Sequence, residues 1–175
     1  MTRRTRTRFL VGLIAFALAL IATVGASAHD GKGSDDHDGK AGAANAAFSS
    51  SLAPSLPTDP AIDGVNPGGV PWVIDRGTAR LQANGRFRVE IEGLVIPVAH
   101  GTFPAGTARP VMTVSASVVC AGGASATTKT VPISADGDAR IDDTVDLPST
   151  CLAPVVLVHP NGGAGAYIAV SGSRS

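Results

Sequence analysis

Hydrophobic and polar residues alternate without a break from position 86 to 92, placing Phe87, Val89 and Ile91 on one side and Arg86, Arg88, Glu90 and Glu92 on the other. A period of two held over this stretch predicts a half-buried strand in an antiparallel sheet. Asn84-Gly85 just before it is the dipeptide of a type I′ hairpin, so residues 78–82 are predicted to pair with it, Ala79 and Leu81 facing the core. The same period recurs in 112–120, where Met112, Val114, Ala116, Val118 and Cys120 share a side, and in 127–133, where Val131 and Ile133 do. Asp136-Gly137 reads as a turn into a strand over 139–147. There Asp143 falls among Ala139, Ile141, Val145 and Leu147, which predicts a bulge at Asp142-Asp143 or an edge position. Strands over 154–159 and 166–171, joined through the Gly-rich stretch that follows His159, complete the set.

No stretch after residue 28 has helical periodicity. About seven short strands, with turn signals every 8 to 15 residues, predict an all-β immunoglobulin-like antiparallel β-sandwich, with a small β-barrel as the alternative. The domain is placed at 70–175, enough chain for one core. Residues 29–69 are rich in Gly, Ala, Ser, Asp and Pro and predict a flexible leader, because they carry too little apolar surface to offset the entropy of ordering. It holds a repeated tetrapeptide, His29-Asp30-Gly31-Lys32 and His37-Asp38-Gly39-Lys40. Leu56, Ile62 and Val65 offer its second half a way to lie against the domain.

The first 28 residues have the three parts of a secretory signal: Arg3, Arg4, Arg6 and Arg8, an apolar run over 9–24, and Ala26-Ser27-Ala28 as the exit, with cleavage after Ala28. The alternative is an uncleaved anchor, although the run is shorter than the roughly 20 residues that span a bilayer. Cleavage removes four of the 14 basic residues and none of the 14 acidic ones, so the mature chain carries a net charge of −4. That sign argues against a nucleic-acid or anionic-membrane partner and leaves an extracellular or cell-wall partner. In an exported chain, Cys120 and Cys151, which lack CxxC spacing, predict one structural disulfide.

Four segments carry a family resemblance: Pro71-Trp72-Val73-Ile74, the Gly93-Leu94-Val95-Ile96-Pro97 corner, Ser115-Ala116-Ser117-Val118-Val119-Cys120, and Leu147-Pro148-Ser149-Thr150-Cys151-Leu152-Ala153-Pro154. From about Ser55 onward the chain resembles a family of secreted actinobacterial proteins with a two-cysteine β domain and no assigned activity. The resemblance implies a source and an extracellular location, and brings no catalytic residue with it.

Candidate chemistry is sparse. The chain has no Gly-x-Ser-x-Gly, no His-Glu-x-x-His, and no phosphate-cradling loop after a strand. Glu90 and Glu92 share a strand face, as paired carboxylates of a glycosidase do, but Arg86 and Arg88 continue the row and make it a solvated, mixed-charge surface. Gly162-Gly163-Ala164-Gly165 lies between two strands and reads as a hairpin loop. Asp136, Asp138, Asp142 and Asp143 are candidate calcium ligands, though Asp-Gly is also ordinary hairpin chemistry. Trp72 and Tyr167 are too few to form a carbohydrate platform, and Trp72, beside Val73 and Ile74, reads as core. Cleavage after Ala28 gives His29 a free α-amine; amine and imidazole, with a second ring from His37, His100 or His159, would form a planar nitrogen set for copper. The sequence therefore predicts a secreted, noncatalytic β-sandwich module in a binding or structural role, with no resident cofactor. The alternative is an extracellular copper protein built on His29.

Overall fold

A computed structural model describes residues 46–123 and 125–174. The signal segment with its cleavage point at Ala28, the tetrapeptide repeat, and His29 and His37 lie outside them. Among the described residues there is no helix, and hence none long and apolar enough to cross a membrane.

Among the described residues eleven strands follow in order: β1 (Ala46–Pro54), β2 (Asn66–Pro67), β3 (Arg76–Gln82), β4 (Arg86–Glu92), β5 (Thr113–Val119), β6 (Ser125–Thr127), β7 (Val131–Pro132), β8 (Ala139–Thr144), β9 (Val155–Pro160), β10 (Ala166–Tyr167) and β11 (Ala169–Ser171). Nine of them make one antiparallel sheet in the order β6-β5-β9-β11-β1-β3-β4-β8, with β7 also on β5; β10 and β2 form a separate parallel pair. The sheet curls at β1, whose first part pairs with β3 up to Ser51↔Thr78 and whose last part pairs with β11 from Leu52↔Ser171. Gly77 sits at the bend, where a side chain would come within 2.7 Å of Leu52 Cβ. The two arms close over one core: Ala79, Leu81, Phe87, Val89, Ile91 and Ile141 from the β3-β4-β8 arm, and Val114, Ala116, Val118, Val156, Val158 and Ala169 from the β5-β9-β11 arm. This is the all-β, two-layered architecture that the alternation predicts.

Two expectations are corrected in detail. The domain does not start at residue 70, because β1, inside the predicted leader, is the strand that joins the two arms. Its sequence, Ala-Ala-Phe-Ser-Ser-Ser-Leu-Ala-Pro, is poor in large apolar groups. Ladder hydrogen bonds to a neighbour on each side hold it, and backbone bonds leave little mark on composition. The Asn84-Gly85 turn is a three-residue hairpin loop, with Gly85 N–H donating to Gln82 O at 3.0 Å and only Gly85 at positive φ (82°). That is a type I turn followed by a left-handed glycine, which adds one residue to the type I′ loop. Of the two readings of Asp143, the edge position holds and the bulge does not: β8 is an edge strand in unbroken register with β4, and the Asp143 carboxylate accepts the Lys129 and Thr144 N–H groups, each at 2.9 Å.

The outer face of the β5-β9-β11 arm is also covered. Val119, Leu157 and Tyr167 are buried there under Ile62 and Val65, and Tyr167 Oη donates to Pro60 O at 2.8 Å. The 55–69 segment is thus a flap on this arm, fastened at one edge by the β2–β10 pair.

Candidate functional site

The acidic residues around the Asp136 turn do not converge. The Asp142 carboxyl is held down to about 2 by the hydrogen bonds from Arg86 and Arg88, whose Nη2 atoms lie 3.2 and 2.8 Å from its Oδ2. Asp143 is lowered by its two backbone donors, and Asp138 Oδ1 accepts Gly93 N–H at 3.0 Å. Among the described residues no three His, Cys, Asp or Glu side chains gather into a metal-sized group. Glu90 pairs with Arg140 at 3.5 Å and Glu92 with Arg76 at 3.1 Å, so the charged outer face of the β3-β4-β8 arm is a ladder of cross-strand ion pairs. A concavity of about 580 Å³ over this face is lined by Glu90, Glu92, Asp138 and Arg140, whose charged groups already have partners. Cys120 and Cys151 form the disulfide, with Cα atoms 5.0 Å apart.

Sequence reading missed the pairing of Ser117 with His159. Both project from the outer face of their arm, on β5 and β9, and in this register they are diagonal neighbours. They are buried to 4% and 1% exposure. His159 Nδ1–H donates to Ala166 O at 2.8 Å, which leaves Nε2 with its lone pair to accept the Ser117 hydroxyl proton at 2.7 Å. Burial pushes the ring's pKa down, so the imidazole is neutral at pH 7. Serine and imidazole in this relation resemble a nucleophile and its base. Here they are enclosed, and a backbone carbonyl orients the ring in place of a carboxylate, so the pair ties β5 to β9 and to the β10 strand beneath the flap. His159, with both nitrogens committed, is not free to complete a copper site.

This pair makes stability pH-dependent. The folded ring titrates below its ordinary value, so as pH drops below about 6.5 the unfolded chain takes up a proton that the fold refuses. Stability is complete above that pH and falls by up to about 1.4 kcal/mol per pH unit, until the ring titrates in the folded protein as well. The thermal midpoint is expected to fall from pH 7 to pH 5 in the wild type and to lose most of that dependence in His159→Gln. Equal slopes in the two proteins would refute the assignment.

At one end of the sandwich, segments from four places enclose a half-open cavity of about 430 Å³. Gly68 to Trp72 forms one wall; the 96–107 hairpin, closed by Ile96↔Thr107 and His100↔Phe103 bridges, supplies His100 and Phe103; Val111 precedes β5; Pro160, Asn161 and Ala166 come from the β9–β10 turn. Among the described residues, no Asp, Glu, Lys or Arg lines it. Trp72 belongs to the core, as its neighbours predict, and is 3% exposed, but it also faces this cavity. Its backbone N–H donates to Ser55 O at 3.0 Å, whereas its indole Nε1–H is buried without a partner. Gly68 lies against that nitrogen: a Cβ there would stand 3.3 Å from Nε1 and 3.2 Å from Ile168 Cγ2. At the rim, Asn161 Oδ1 accepts Met112 N–H at 2.9 Å, so its amide nitrogen is the group it can offer a ligand. The indole donor escapes sequence analysis because a tryptophan among valines and isoleucines carries no sign of whether its N–H finds an acceptor.

Comparisons with protein-family models, with curated proteins and with solved structures each return no match to this chain.

Proposed function

We propose that this protein is an extracellular, noncatalytic binding module whose ligand site is the cavity at Trp72. The observation that carries the reading is the buried, unpartnered indole N–H beside a cavity lined mainly by apolar side chains, with no Asp, Glu, Lys or Arg among the described residues of its wall. Binding cavities have this make-up, an apolar lining with a few placed polar groups, and commonly occupy 300–1,000 Å³. A buried donor without an acceptor costs about 1–3 kcal/mol, so a molecule that satisfies it gains more than contact area alone supplies. The extracellular setting rests on the signal-like first 28 residues and the resemblance to secreted actinobacterial proteins, and the Cys120–Cys151 bridge suits an oxidising compartment. The Ser117–His159 pair, the other arrangement with chemical potential, is buried and lines no part of the cavity.

Trp72 is the sole tryptophan, which makes the cavity directly observable. Titration with the neutral fluorophore N-phenyl-1-naphthylamine is expected to quench Trp72 emission by energy transfer and to saturate at one dye per chain. Phe103→Ala, which removes one wall, is expected to weaken that binding several-fold. Linear, unsaturable uptake of dye, identical in the variant, would overturn the reading.

A further inference from the structure

Resting on that reading of the cavity, we propose that its ligand is a small, uncharged, apolar molecule carrying a carbonyl oxygen, and that Trp72 Nε1–H donates to that oxygen. The indole and the Asn161 amide offer only donors, and the His100 ring on the same lining also carries an N–H. Indole nitrogen can only donate, and Asn161 has its amide oxygen occupied by Met112 N–H, leaving its NH₂. A ligand complementary to such a set presents acceptors. Apart from His100, the side chains of the remaining surface are apolar, Val70, Phe103, Val111 and Ile168 among them, which calls for an apolar body. A carboxylate or ammonium group would enter a lining with no Asp, Glu, Lys or Arg to balance it, and burying an unpaired charge is strongly unfavourable.

The route to the donor runs past Gly68. Nε1 is covered, and what lies against it is a residue with no side chain, followed by a second glycine, Gly69, that has open space on its Cβ side. A small displacement of this glycine pair uncovers the N–H, whereas a side chain at position 68 would fill the space beside it. Gly68 is therefore a specificity-determining position, since it keeps the approach to the donor open. The flap leads directly into this wall, because Asn66 and Pro67, which pair with β10, immediately precede Gly68.

The test uses the full chain, labelled with ¹⁵N. A single tryptophan gives a single indole N–H resonance, so the proposed hydrogen bond has its own signal. Propiophenone is expected to bind saturably at one site and move that proton downfield. Propylbenzene, of nearly the same shape but without the oxygen, is expected to bind roughly 10-fold more weakly and to leave the indole proton without the downfield move. Trp72→Phe keeps an aromatic ring and removes the donor, and Gly68→Ala crowds it; each is expected to bring the ketone down to the hydrocarbon's affinity, with a spectrum that verifies folding. Equal affinity for ketone and hydrocarbon without the indole shift would overturn the carbonyl assignment and leave the binding module standing. Tighter binding of benzoate than of propiophenone would overturn the requirement for an uncharged ligand. Failure of all three probes to perturb resonances of the cavity wall would overturn both the ligand class and the proposed function.

Discussion

Replacement of Cys120 by alanine is expected to lower the folding free energy by about 3.5–4 kcal/mol and the thermal midpoint by roughly 10–20 °C. The bridge joins residues 31 apart, and a loop of that length, released in the unfolded chain, regains closure entropy of this size. The loss is added to a second one, because Cys120 is itself buried in the core at the end of β5. Cys151, by contrast, sits in the irregular connection that leads into β9, and its neighbour Leu152 is largely exposed. Little besides the bridge and the Ala121 N–H to Leu152 O hydrogen bond, at 2.8 Å, ties that connection down. Urea denaturation with and without reductant checks the prediction. The reduced wild type should then have a lower midpoint, with Cys120→Ala lower still through loss of the buried side chain, and a wild type indifferent to reductant would contradict it.

Gly137→Ala is the second large effect, expected to cost about 3 kcal/mol or more, while Gly106→Ala costs about 1 kcal/mol. Both glycines have positive φ, 87° and 69°. A methyl group at 106 meets nothing within 4 Å, so that variant carries only the conformational penalty. At 137 the methyl would stand 2.4 Å from both the N and the O of Leu94, whose N–H donates to Gly137 O at 3.0 Å. Leu94 is fully buried, so the corner it anchors cannot move aside without opening the core. The difference between the two variants isolates the steric term. A Gly137→Ala midpoint equal to that of Gly106→Ala would mean that the corner yields.

The strands legible in the sequence were those whose two faces meet different surroundings. β3, β4 and β8 have core on one side and water on the other, and their alternation follows from that. β5 and β9 are buried on both faces, so Ser115, Ser117 and His159 occupy positions that alternation assigns to solvent. Part of that outer face, at Val119 and Leu157, is covered by residues 55–69, a segment whose composition reads as unstructured. Ile62 and Val65 were the sign that it rests on the domain, and it does. The predicted strand over 166–171 is broken at Ile168, because β10 belongs to the flap's parallel pair and β11 to the main sheet. No pattern in a single strand reports a change of partner. The cavity was illegible for the same reason, since its walls come from segments that lie far apart along the chain.

The seam between β1 and β11 also sets when the fold can be completed. Leu52 lies opposite Ser171, and Ser51 Oγ–H donates to Gly172 O across 121 positions of sequence. A chain emerging from its amino terminus presents β1 long before β11 exists, with one side of that strand unpaired in the interval. Such an edge is open to pairing with the wrong neighbour. Maturation is therefore an end-to-end event in which the arms close only after β11 arrives, and a clip in the β9–β10 turn would free both β11 and one wall of the cavity at a single stroke.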